Sequence, residues 1–127
     1  MRYPFRSLLA ALSAVALAAT VAAAQNTPVQ TMAGILMNVN HFPSDAEKKT
    51  LQGIVENKTA SEGERAVAQA MISLQHQVAA ADKPKLEALV KDKATPEPVR
   101  TLASVILTFT HMPTAADKEK LKKISSD

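Results

Sequence analysis

Three histidines, His41, His76 and His111, stand 35 residues apart. Imidazole is the commonest metal ligand in proteins, so an evenly spaced set points to a metal site or to a histidine-lined groove. Nothing else in the chain adds to that chemistry. There is no cysteine, and no Gly-rich phosphate loop, His-Glu-x-x-His motif or nucleophile–base signature occurs. A small hydrolase would need an acid/base pair that the sequence does not display, so the chain is not expected to be an enzyme.

The spacing belongs to a longer pattern. His76–Thr110 aligns without a gap on His41–Gln75, with identities at His41/His76, Ala46/Ala81, Lys48/Lys83, Leu51/Leu86, Val55/Val90, Lys58/Lys93, Glu62/Glu97, Arg65/Arg100 and Ala68/Ala103. His111, Ala116, Lys118, Leu121 and Ile124 continue the frame. Self-similarity at such a period marks a repeat architecture. The units run 26–60, 61–95 and 96–127, and together form one domain over 25–127.

Each unit reads as a long helix, a tight turn at the histidine, a shorter helix and a polar link. The first helices, placed over Met32–His41, Val67–His76 and Leu102–His111, carry apolar residues at helical spacing (Met32/Leu36/Val39, Val67/Met71/Leu74, Leu102/Ile106/Phe109). With Ile35 and Met37 the apolar arc widens to roughly 200°, at 100° per residue, which implies burial on two sides. The second helices have the narrower stripes Leu51/Ile54/Val55, Leu86/Leu89/Val90 and Leu121/Ile124. Ser44 with Glu47 forms a capping box, Thr114 with Asp117 a weaker one, and the second helix of unit two begins near Asp82. Lys120, Lys122 and Lys123 give the last helix the polar outer face expected at the end of an array.

These elements predict an all-α fold, three stacked helical hairpins in a short α-solenoid-like array rather than a closed bundle. In repeat length the chain resembles tetratricopeptide and pentatricopeptide arrays, without the tetratricopeptide pattern of Trp, Leu-Gly, Tyr and late Pro. An open array constrains the histidines. Packed helices lie about 8–10 Å apart, whereas zinc holds its nitrogens at about 2.0–2.1 Å. Stacked units would keep the three imidazoles apart, so the expectation is no metal and no cofactor. Each histidine would instead end a first helix, its side chain near the last carbonyls.

A second candidate lies opposite the apolar arc. Thr31, Gly34, Asn38 and His41, then Ala66, Gln69, Ser73 and His76, then Thr101, Ser104, Thr108 and His111 form a small, polar, uncharged stripe. A concave face of this kind suits an extended peptide or protein partner. Arg65 and Arg100, three residues after Glu62 and Glu97, read as surface ion pairs.

Residues 1–24 read as a cleavable secretory signal: Arg2 and Arg6, an uncharged run over Leu8–Val21, then Ala22-Ala23-Ala24. Removal leaves 13 Lys+Arg against 12 Asp+Glu and only Phe42 and Phe109 as aromatics. Near-neutral charge and scarce aromatics argue against nucleic-acid binding and against a membrane-bound mature chain. Export without cysteine fits a periplasmic or secreted location. The expected function is an exported interaction module that binds a peptide or protein through the first-helix face. The alternative is a periplasmic metal-binding protein that uses the repeated histidines.

Overall fold

The computed structural model describes residues 26–127; the expected signal segment lies outside them. Among the described residues the protein is all-helical, with no strand and six helices: α1 Pro28–Asn38, α2 Asp45–Glu56, α3 Glu62–Ile72, α4 Lys83–Lys91, α5 Glu97–Thr108 and α6 Ala115–Ser126. None is long and apolar enough to cross a membrane.

The starts follow from local chemistry. Thr27, Ser44 and Ser61 each accept a hydrogen bond from the backbone N–H three residues on, and the side chains of Gln30, Glu47 and Glu64 each accept one from the capping residue's own N–H. These reciprocal bonds satisfy two backbone donors that the helix cannot. Thr114 caps α6 through the Asp117 N–H. The second helix of unit two, α4, starts after Asp82 as its sequence predicts. At the other ends, Asn57 and Asp92 accept bonds from the N–H groups of Thr59 and Ala94, so both form ordinary side-chain-stabilised turns.

The packing departs from an open array. The closest helix pairs join one unit to the next, α2 with α3 and α4 with α5, and α6 returns to pack on α1 in the same way. The first helices α1, α3 and α5 also contact one another, forming an inner trio wrapped by α2, α4 and α6. The chain therefore closes into a ring with approximate threefold symmetry. The wide apolar arc is explained by it: each inner helix meets two inner partners and two outer helices, one of them extensively. Met32, Ala33, Leu36, Val67, Ala68, Met71, Leu102, Ala103 and Ile106 are fully buried on the inner trio. Closure also accounts for α6, whose Leu121 is completely buried and whose Ile124 is nearly so, while its lysines face water as they would at an array end.

Candidate metal centre

Closure brings to one point what stacking would have kept apart. First helices end at Asn38, Ile72 and Thr108, so the histidines sit three or four residues beyond the helices and do not cap them. Each lies at the apex of a tight turn with φ of 74° (His41), 60° (His76) and 62° (His111), the only positive values among the described non-glycine residues. In units two and three the turn is closed by Gln77 N–H donating to the Gln75 carbonyl at 2.5 Å and Met112 N–H to that of Thr110 at 2.6 Å. Such γ-turns with positive φ are rare and strained, and a side chain held at positive φ costs of order 1–3 kcal/mol. Glycine would avoid the strain. Three histidines at three strained apices need a reason beyond chain reversal.

The backbone supplies the framework. His41 N–H donates to the His111 carbonyl at 2.6 Å, His76 to His41 at 2.7 Å, and His111 to His76 at 2.7 Å. The three residues thus form a closed hydrogen-bonded cycle about the pseudo-threefold axis. Each turn is fixed to the other two, and the side chains start from equivalent positions.

The rings then converge. Nδ1 of His41 lies 3.0 Å from that of His76 and 3.1 Å from that of His111, and the remaining pair is 3.2 Å apart. Ring centroids are 4.9–5.1 Å apart, with planes inclined at 68–78° like propeller blades. His76 and His111 are exposed and His41 is half-buried, so the cluster opens to solvent.

Hydrogen bonding cannot satisfy this triangle. A neutral imidazole nitrogen carries either a proton or a lone pair, so at most two of three edges can be N–H···N. The third edge sets two protons or two lone pairs against each other. A cation at the centre removes the conflict, because all three nitrogens then offer lone pairs to it. The size is suitable: the centre lies about 1.8 Å from each nitrogen, against about 2.0–2.1 Å for zinc to histidine. A slight opening of the triangle, or displacement of the ion along the axis, gives the bonding distance. The three histidines are the one cluster among the described residues able to hold a metal ion.

The polar stripe is dispersed by comparison. Gln69 and Ala66 line a groove between α3 and α4, with Lys85, Leu89 and Asp92. Thr101 and Ser104 line another beside the ends of α4 and α6. Asn38 donates to the Gly34 carbonyl, and Thr108 to those of Ser104 and Val105, within their own helices. Thr31 and Ser73 are half-buried. Arg65 and Arg100 border the same two grooves, and their Nε atoms are shielded from solvent without a hydrogen-bond partner.

Sequence reasoning noted the histidines but expected them to stay apart at helix ends with no metal, and it missed their neighbours Gln75, Gln77, Thr110 and Met112, whose backbone groups make the turns. The available signal was the absence of Gly or Asn at a reversal where every unit places histidine. No family model, curated protein or solved structure matches this chain.

Proposed function

We propose that the protein binds one late first-row transition-metal ion on Nδ1 of His41, His76 and His111, in the cell envelope or outside the cell. The observation that carries this reading is the triangle of three nitrogens 3.0–3.2 Å apart, which no tautomer satisfies. Imidazole-only donors suit zinc, copper, nickel or iron, whereas magnesium, calcium and manganese prefer oxygen. Three strained turns held by a backbone cycle fit preorganised ligands better than helix ends. Export rests on residues 1–24, whose Arg2, Arg6 and apolar run have the order of a secretory signal.

Calorimetric titration with Zn(II) and Cu(II) tests the proposal. The expected result is one ion per chain, with binding lost in each of His41→Ala, His76→Ala and His111→Ala. Binding that survives all three substitutions would place the metal elsewhere.

A peptide or protein partner on the first-helix face is the weaker reading. In a closed ring the polar stripes border separate grooves rather than one concave surface.

A further inference from the structure

We infer that the triad holds its metal four-coordinate, leaving one position, on the solvent side, for an exchangeable small monodentate ligand such as water or an inorganic anion. This rests on the metal-binding reading above and adds geometry to it. The direction of the nitrogens is the first observation. The ring centroids lie about 2.9 Å from the pseudo-threefold axis and the Nδ1 atoms about 1.8 Å from it, the scale on which a metal–nitrogen bond is made. The difference is close to the distance from an imidazole centroid to its own nitrogen. Each Nδ1 therefore points almost straight at the axis, and its lone pair runs nearly in the plane of the nitrogen triangle.

That direction selects a coordination geometry. Three donors on an octahedral face lean about 35° out of their plane toward the metal, and three at a tetrahedral base about 20°. The lone-pair direction favours the tetrahedral case, in which the nitrogen triangle opens from about 3.1 Å to about 3.3–3.4 Å on a side for bonds of about 2.0–2.1 Å. An octahedral face keeps nearly the present spacing but needs the rings to tilt further out of the plane. The second observation is what surrounds the site. No carboxylate or further imidazole joins the cluster among the described residues, so no fourth protein ligand is at hand. The hydrogen-bonded cycle of the same three residues surrounds the same axis, and the exposure of His76 and His111 opens the cluster to water. Three protein ligands with a vacant fourth position are the arrangement that lets zinc exchange water for another ligand.

Cobalt(II) reports the geometry directly, because its four-coordinate complexes absorb visible light strongly and its six-coordinate complexes weakly. The purified protein is titrated with Co(II) and then with sodium azide. Intense bands that saturate at one equivalent and shift with azide are the expected result. His76→Ala should weaken Co(II) binding by more than about 100-fold, since loss of an outer partner alone costs 10–100-fold. Weak, octahedral-type bands at one equivalent would overturn the four-coordinate inference while leaving metal binding intact. Intense bands indifferent to azide would overturn the open position. Failure to bind Co(II), Zn(II) or Cu(II) at all would remove the metal reading and this inference with it.

Discussion

His76 donates its backbone N–H to the carbonyl of His41 at 2.7 Å, and the Nδ1 atoms of the same two residues stand 3.0 Å apart. The contact recurs between His111 and His76 and again between His41 and His111. Backbone and side chain thus make the same cycle twice. The backbone cycle is fully satisfied; the side-chain cycle cannot be without a cation. Support for the site and demand for a ligand arise from the same three residues.

Strain and ligation can be separated by substitution. His76→Gly removes a ligand but relieves a φ of 60°. Its metal-free stability is expected to stay within about 1 kcal/mol of the parent, as relief of strain offsets lost packing and added chain entropy. Metal binding should be abolished. Denaturant melts without metal, together with zinc titration, check both halves; a large loss of metal-free stability would show that the imidazole itself supports the fold.

Metal should raise the melting temperature, because the ring places its ligands in all three units. At free zinc 100 times the dissociation constant the gain is about 2.7 kcal/mol. For a domain of this size that is a rise of about 10 °C or more. A chelator should reverse it, and His111→Ala should show no rise.

Acid should release the ion. Ligation needs neutral imidazoles, and protons compete for the same lone pairs. Binding is therefore expected to weaken as the pH is lowered. Zinc affinity measured between pH 5 and 8 should show that sign; constant affinity over the interval would exclude imidazole ligation.

Ring closure has its own mutational signature. Leu121 is fully buried on the last helix, and α6 packs against α1. Leu121→Ala should cost about 2–5 kcal/mol, as much as Leu74→Ala or Leu86→Ala. It should also weaken zinc binding, since α6 follows directly from the His111 turn. Thr108→Arg, on an exposed side chain, should change stability by less than about 0.5 kcal/mol.

Local order was readable in the sequence because local chemistry sets it. The repeat, the six helices, the Ser44 cap and the start of α4 all depend on residues within a turn or two of one another. Closure depends on how far each unit rotates relative to the last, and Leu121 and Ile124 look the same whether they bury against α1 or end an open array. Helix boundaries hid the site further. The apolar pattern runs through Val39, Leu74 and Phe109 and is continuous enough to carry the predicted helices as far as the histidines. The chain instead leaves the helix before them and turns at positive φ, which is uncommon for any non-glycine residue even though histidine adopts it more often than most. Once the ring is closed, equivalent residues that lie close to its axis meet there, and for the histidines the spacing of 35 becomes a spacing of 3 Å.

Anomalous diffraction at the zinc edge from crystals of the zinc-loaded protein tests the central claim most directly. The account predicts a single peak per chain on the pseudo-threefold axis, about 2.0–2.1 Å from Nδ1 of His41, His76 and His111. A peak elsewhere, or zinc held by fewer than three of these nitrogens, would contradict it.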